Sequence, residues 1–226
     1  MSRRERPRQA LKRAYCGGPA TTKDHVPPRS LFVRPYPANL VTVPSCFKCN
    51  QKKALDDALL RDALTSDIEA QPSKTAIAAF RPVPRSVERN RSEFARIVNS
   101  QTIRRRNLVT EAGLYLGEAF GVTLPKGRIE RCLFWIVRGL YFDHQKEPFP
   151  TEVTYEVRRH PMSEFPALLS GLGSDGLPPH RIVGDVFGCT YVRGIDLRDS
   201  IWLLWFYERI VFSVITQQSS TPASPP

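Results

Sequence analysis

The sequence predicts an α+β protein in which a small strand–strand–helix module precedes a larger α+β domain of unassigned fold. Residues 14–44 are rich in glycine, proline and β-branched residues and show no helical periodicity. A run of helix-forming residues follows at 49–64, and strand-like alternation returns after residue 150. We therefore divide the chain into a module with a basic N-terminal arm (1–65), a Pro-rich linker (66–86), an α+β domain (87–216) and a disordered tail (217–226).

The module is predicted to contain two short strands and one helix. The strands are Thr21–Val26 and Leu40–Val43, and the segment 27–39 between them holds four prolines and is predicted to be a loop. Ser45 is the predicted N-cap of a helix over Cys49–Leu64, a run rich in Ala, Leu, Lys and Gln. Four apolar residues in this run follow the helical period: Leu55, Leu59, Leu60 and Ala63.

The larger domain is predicted to mix helices with antiparallel strands. The basic run Arg104–Arg106 is interpreted as the solvated end of a helix. The predicted helices are Val87–Gln101, Ile129–His144 and a short one within Pro161–Leu172, and the predicted strand regions are Thr151–Arg158, Arg181–Val192 and Ser200–Thr216.

The charge of the chain is unevenly distributed. The net charge is +11, of which residues 1–65 carry +8, whereas residues 151–226 carry −2. A basic N-terminal part suits a polyanionic partner, because phosphates that are neutralised by lysine and arginine release counterions. The alternative is a solvated basic surface. No apolar run reaches the ~18 residues of a membrane span, and the N-terminus lacks the apolar stretch of a secretory signal, so we expect a cytoplasmic protein without membrane contact.

Three chemically informative features lie close together in the module. They are the pair Asp24–His25, then Asn39, then the segment CFKCNQKK at 46–53. The sequences KDHVPPR and NLVTVPSCFKCNQKK resemble the motif of HNH endonucleases, in the variant whose last histidine is an asparagine, here Asn50. The resemblance covers residues 14–60 and does not extend to the rest of the chain.

The resemblance implies a ββα-metal module that hydrolyses phosphodiester bonds of double-stranded DNA, in restriction, phage defence or mobile-element biology. It implies that Asp24 and Asn50 bind Mg²⁺ or Mn²⁺, that His25 deprotonates water, and that Asn39 holds the loop and orients His25. The chemistry is consistent, because a neutral imidazole can accept a proton and a hard cation prefers oxygen ligands. Lys52 or Lys53 is a candidate phosphate contact. The larger domain is a candidate surface for a protein partner or a second copy.

The cysteines predict a second, structural metal site. Cys46 and Cys49 form a Cys-x-x-Cys pair, which in a reducing compartment indicates metal or redox chemistry. Many HNH domains of this kind carry a second such pair upstream; here Cys16 stands in the position of its second thiolate and Arg13 in that of its first. We therefore expect zinc at Cys16, Cys46 and Cys49. Its fourth ligand is left open among Cys132, Cys189, a distant histidine and water, with a degenerate site as the remaining alternative.

An alternative function uses the same cysteines without catalysis. The module would then be a zinc-knuckle nucleic-acid-binding domain, and Asp24 and His25 would be incidental. The nuclease hypothesis requires Asp24, His25 and Asn50 to converge on one point, whereas the binding hypothesis does not.

Overall fold

Helices and antiparallel sheets make up the fold, which confirms the predicted α+β class. The computed structural model describes residues 12–89, 91–92, 95, 103–110, 112–124, 126–173 and 181–219. Most of the predicted basic arm and all of the predicted tail after residue 219 lie outside these ranges. None of the helices within them is long and apolar enough to cross a membrane.

The N-terminal module follows the predicted order of strand, loop, strand and helix. Strand β1 (Thr22–Val26) pairs antiparallel with β2 (Val41–Ser45), and helix α1 (Phe47–Ser66) follows directly. The connecting loop contains one 3-10 turn, Arg29–Leu31. The N-cap of α1 is Cys46 and not the predicted Ser45, because the Cys46 sulfur accepts a hydrogen bond from the Cys49 amide at 3.4 Å.

The segment predicted as a Pro-rich linker is largely helical. It contains a 3-10 turn (Ile68–Ala70), helix α2 (Lys74–Phe80) and the start of helix α3 (Val83–Arg89). The side chains of Asp67 and Ser73 cap the first two of these elements. Small apolar residues of this segment are buried in the core, so it packs as part of the fold: Ala70, Ala76 and Ala79.

A two-stranded antiparallel sheet and a long helix follow. The sheet pairs β3 (Ile103–Val109) with β4 (Tyr115–Val122), so the basic run Arg104–Arg106 lies on a strand and not at a helix end. The predicted helix Val87–Gln101 falls mostly outside the described residues. Helix α4 (Lys126–Gln145) contains the predicted Ile129–His144.

A five-stranded antiparallel sheet forms the C-terminal part. Its strands lie in the order 153–160, 210–218, 200–206, 187–193 and 181–183, and the predicted strand regions are confirmed. A 3-10 turn (Met162–Glu164) and the short helix α5 (Phe165–Gly171) follow its first strand. The strands are β5 (Val153–His160), β6 (Arg181–Val183), β7 (Phe187–Arg193), β8 (Ser200–Phe206) and β9 (Ile210–Gln218).

Helix α4 lies between the module and the five-stranded sheet. One continuous hydrophobic cluster runs from Ala14 in the module, through α4, to Val214 on β9. The buried carboxylate of Asp56 on α1 accepts hydrogen bonds from Arg128 at 2.9 Å and Arg131 at 2.7 Å on α4. The division into two domains is still a prediction, but the two parts share one core. The aromatic residues of the β8–β9 hairpin are buried, as expected of strand core: Trp202, Trp205, Phe206 and Tyr207.

Candidate active site and metal centre

The β1–β2 hairpin presents Asp24 and His25 next to the N-terminal half of α1. Asp24 lies opposite Val43 and His25 opposite Thr42 in the antiparallel register. Val26 and Val43 are buried in the core and anchor the hairpin, which fixes the backbone that carries the two polar side chains. Helix α4 approaches β1 so closely that a Cβ atom on Gly139 would lie 2.5 Å from Val26 Cγ2.

Asp24 belongs to a buried charge cluster. Its Oδ2 accepts hydrogen bonds from the Tyr15 hydroxyl at 2.6 Å and from the Lys53 ammonium. Lys53 is only 2% exposed, and its Nζ also lies 4.0 Å from the carboxylate of Asp57. Two carboxylates therefore share one ammonium. Burial, opposed in part by the positive charge of Lys53, raises the pKa of Asp57 to about 6.

An open pocket of about 380 Å³ lies over this cluster and is lined in part by His25. Burial lowers the pKa of His25, and the positive charge of nearby Arg29 lowers it further. The imidazole is therefore mostly neutral at pH 7, as a general base must be. The other described residues that line the pocket are Asp24, Pro28, Arg29, Ser30, Tyr36, Ala54, Asp57 and Ala58.

Asn50, the second predicted ligand of the catalytic ion, is engaged elsewhere. Its Oδ1 accepts a hydrogen bond from the Ser45 hydroxyl at 2.7 Å. Its Nδ2 donates to the Thr22 hydroxyl and to the Lys23 carbonyl oxygen, each at 3.1 Å. These bonds tie the start of α1 to β1, and Asn50 is not among the described residues that line the pocket. Asp24 and His25 therefore line one pocket, whereas the Asn50 side chain is held by Ser45, Thr22 and Lys23.

Asn39 is also placed differently from the expectation. Its Nδ2 donates to the carbonyl oxygen of Ile182 on β6, at 2.8 Å. This contact fixes the loop after β1 to the edge of the large sheet. The Tyr207 hydroxyl makes a similar contact by donating to the Leu31 carbonyl oxygen at 2.9 Å. Asn39 thus holds the loop, as predicted, but through the sheet and without a contact to His25.

The three predicted zinc cysteines do converge. The sulfurs of Cys16, Cys46 and Cys49 all lie within 4.8 Å of one another, and those of Cys16 and Cys46 are 4.0 Å apart. Tetrahedral zinc with Zn–S bonds of about 2.3 Å holds its sulfurs roughly 3.8 Å apart, so the cluster fits the ion. The hydrogen bond from the Cys49 amide lowers the pKa of Cys46 to about 7, which favours its thiolate, whereas burial and the neighbouring thiols raise the pKa of Cys49 to about 12.

The side chain of Arg13, and not a fourth cysteine, lies beside this cluster. Residues 13–18 form a tight turn in which the Arg13 amide donates to the Gly18 carbonyl oxygen at 2.8 Å and Gly17 has a positive φ of 70°. The guanidinium of Arg13 donates to the Cys16 sulfur at 3.3 Å. Of the alternatives for a fourth protein ligand, Cys132 and Cys189 are buried elsewhere, and no histidine in the described part of the chain joins the cluster.

Sequence reasoning missed several residues of this site. Lys53 was a candidate phosphate contact, but it is buried against Asp24. Tyr15, Asp57 and Tyr36 carried no motif signal, and Arg29, which ends the segment KDHVPPR, was given no role. The one available hint was that Asp57 lies four residues after Lys53, which places the two on one face of a helix.

Comparison with known proteins gives no relatives for this site. No protein-family model matches the chain, and no match was found among curated proteins or among solved structures. The functional argument therefore depends on the geometry and chemistry of the site.

Proposed function

We propose that the chain is a metal-dependent endonuclease that hydrolyses phosphodiester bonds of DNA, with His25 as the general base. The observation that carries the proposal is the position of His25, which lines an open pocket together with Asp24. The lowered pKa of His25 keeps the imidazole able to accept a proton from water at neutral pH. The net charge of +8 on residues 1–65 attracts a polyanionic substrate to this part of the molecule.

The side chains fit a catalytic cation only in part. Asp24 Oδ2 accepts hydrogen bonds from Tyr15 and Lys53, whereas Oδ1 accepts none from the described residues, which makes Oδ1 the candidate ligand atom for a cation. Asn50 does not fit as a ligand, because its amide is hydrogen-bonded on both sides within the protein. A bound Mg²⁺ or Mn²⁺ would polarise the phosphate and stabilise the leaving oxygen.

A second candidate is a zinc-knuckle protein that binds nucleic acid without cutting it. The contacts of Asp24 and Asn50 favour this candidate, because both side chains have structural partners that would explain their presence without catalysis, and because Asn50 is not among the described residues that line the pocket with Asp24 and His25, where the nuclease hypothesis requires it. The cysteine cluster serves either function, since a structural zinc ion stabilises a small module whether or not the module is an enzyme.

Cleavage of a supercoiled plasmid separates the two candidates. The nuclease converts the plasmid to nicked or linear form with Mg²⁺ or Mn²⁺ and loses this activity in EDTA. Asp24→Asn abolishes cleavage, because it removes the charge that holds both the cation and Lys53. Asn50→Ala lowers the thermal midpoint, and extra Mg²⁺ does not restore it, because Asn50 joins α1 to β1. A plasmid that is bound but stays intact with every divalent ion would support the binding module.

A further inference from the structure

The pocket beside His25 contains one cationic side chain among its described lining residues, Arg29. Arg29 begins the 3-10 turn after β1, and its side chain is exposed. Its guanidinium lies over the ring of Tyr36, with Cζ 5.2 Å from the ring centre, a cation–π distance. Within the described part of the chain it makes no hydrogen bond or ion pair, so its N–H donors are available to a ligand.

Tyr36 is itself held from a second direction. Arg34 lies 5.6 Å from the centre of the same ring, and its Nε donates to the Tyr36 hydroxyl at 3.4 Å. Stacking of a guanidinium on an aromatic face restricts its orientation and leaves its planar edge open. Arg29 is therefore positioned at the rim of the pocket before any ligand arrives.

The two carboxylates in the pocket make a cationic group such as the Arg29 guanidinium necessary for binding a phosphate. Asp24 and Asp57 both line the pocket, and Lys53 beneath them is buried and shared between the two carboxylates. A phosphodiester that enters beside two carboxylates is repelled unless a cation meets it. The planar guanidinium matches two oxygens of a phosphate, which a lysine ammonium does not.

We propose that Arg29 binds the phosphate that is to be cleaved, through the two non-bridging oxygens, and that Tyr36 holds the guanidinium in place. This inference rests on the proposed nuclease function and names the substrate contact of the same site. Other cations near the site are less suited: Lys53 is buried, while the side chains of Lys48 and Lys52 are exposed and lie outside the described lining of the pocket.

The first test is kinetic. Arg29→Ala lowers kcat/KM for DNA cleavage by about 10²-fold, the size expected for loss of one donor to a charged transition state. Arg29→Lys recovers part of this loss, because it restores the positive charge but not the two parallel N–H donors of the guanidinium. Tyr36→Phe keeps the stacking and cleaves within about threefold of wild type, whereas Tyr36→Ala does not. Arg85→Ala, which removes an exposed arginine on α3, controls for net charge and cleaves normally.

The second test measures binding without cleavage. A thymidine dinucleotide, which carries one phosphodiester, is titrated into ¹⁵N-labelled protein without added divalent ions. The His25 ring resonances and the Arg29 Nε–H resonance shift with the dinucleotide and not with thymidine. Arg29→Ala removes the response at His25, and circular dichroism confirms that the variant is folded.

The two tests distinguish failure of the Arg29 phosphate contact from failure of the nuclease function. A wild-type protein that cuts no DNA but shows the Arg29-dependent dinucleotide response retains the phosphate site and loses the nuclease assignment. Wild-type cleavage by Arg29→Ala overturns the inference and leaves the nuclease assignment intact. A dinucleotide response that is absent from wild type, or unchanged in Arg29→Ala, also overturns it.

Discussion

At the scale of single residues, the charge cluster under the His25 pocket is the most consequential feature. Lys53, Asp24 and Asp57 place two acids and one base in a largely buried setting. Burial of a carboxylate without a full partner costs free energy in its ionised form, and Asp57 has the weaker of the two pairings with Lys53. Its pKa is accordingly raised to about 6 from the ordinary value of 3.8.

This shift predicts the pH dependence of stability. The folded-state pKa of Asp57 is raised, so the folded protein binds the proton more tightly than the unfolded chain. The resulting contribution to the free energy of unfolding is fully present below pH ~4 and is lost as the pH rises through about 6. Asp57→Asn mimics the protonated form. We expect it to raise the free energy of unfolding by up to about 3 kcal/mol at pH 8 and to change little at pH 4, at about 1.4 kcal/mol per pKa unit.

Urea unfolding at several pH values, without added divalent ions, measures this difference. Glu88→Gln on α3 is the control, since it removes an exposed carboxylate and should shift stability by less than about 0.5 kcal/mol at either pH. A pH-independent effect of Asp57→Asn would show that the carboxylate is not desolvated in the folded state.

The sequence predicted some of the residues that lie near one another, but not the hydrogen-bond partners of the others. Asp24 and His25 share a pocket and the three cysteines converge, because both sets are brought together by a short hairpin and the adjoining helix. Asn50 and Asn39 have other partners. Their contacts depend on a serine hydroxyl and on the edge of a sheet far along the chain, neither of which a local motif encodes.

At the scale of elements, the close approach of α4 to β1 is one of the contacts that join the module to the rest of the fold, beside those of Asp56 with α4 and of Asn39 with β6. Gly139 makes this approach possible: a Cβ atom there would lie 2.5 Å from Val26 Cγ2 and 3.1 Å from the Tyr15 hydroxyl oxygen. Gly127, in the first turn of the same helix, is exposed, and a Cβ atom there would meet nothing within 4 Å. The two glycines form a matched pair.

We expect opposite effects from alanine at these two positions. Gly139→Ala destabilises the protein by about 1–3 kcal/mol, because overpacking outweighs the gain in helix propensity. Gly127→Ala is neutral or stabilises by up to about 1 kcal/mol, because only the propensity changes. Thermal unfolding of both variants measures the contrast. Equal effects would mean that α4 does not pack tightly on β1.

Helix α1 shows why an element can be predicted correctly while its buried face is not. Its existence followed from composition, but the apolar period placed Leu55 inside, and Leu55 is half exposed. Lys53 and Asp56 are buried instead, because charged partners on β1 and α4 satisfy them. Similarly, the prolines at 72, 82 and 84 suggested a linker, although Pro82 and Pro84 adjoin or begin a helix, where proline is tolerated.

At the scale of the whole molecule, the small module depends on outside support. Its apolar residues join a core shared with α4 and the large sheet, and its own cysteine cluster is a candidate zinc site. We predict about one zinc ion per chain in protein purified without added metal. Its removal should lower the thermal midpoint, because metal bound to the native state alone stabilises that state.

Elemental analysis and thermal unfolding test the zinc prediction together. Cys46→Ser should lose the zinc ion, whereas Cys132→Ser should retain it, because Cys132 is buried against the Asp56 carbonyl oxygen and lies outside the cluster. A folded wild-type protein without zinc would contradict the prediction and leave Arg13 as the counter-charge of the thiolates.

The most direct test of the proposed function is the effect of His25→Ala on DNA cleavage and on DNA affinity, measured on one protein preparation. We expect cleavage to fall by about 10²–10⁴-fold, because the general base is lost. Affinity should change little, since a neutral imidazole contributes little to phosphate binding. Thr42→Ala, opposite His25 on β2, controls for damage to the hairpin and should cleave normally. Cleavage by folded His25→Ala at the wild-type rate would contradict the nuclease proposal.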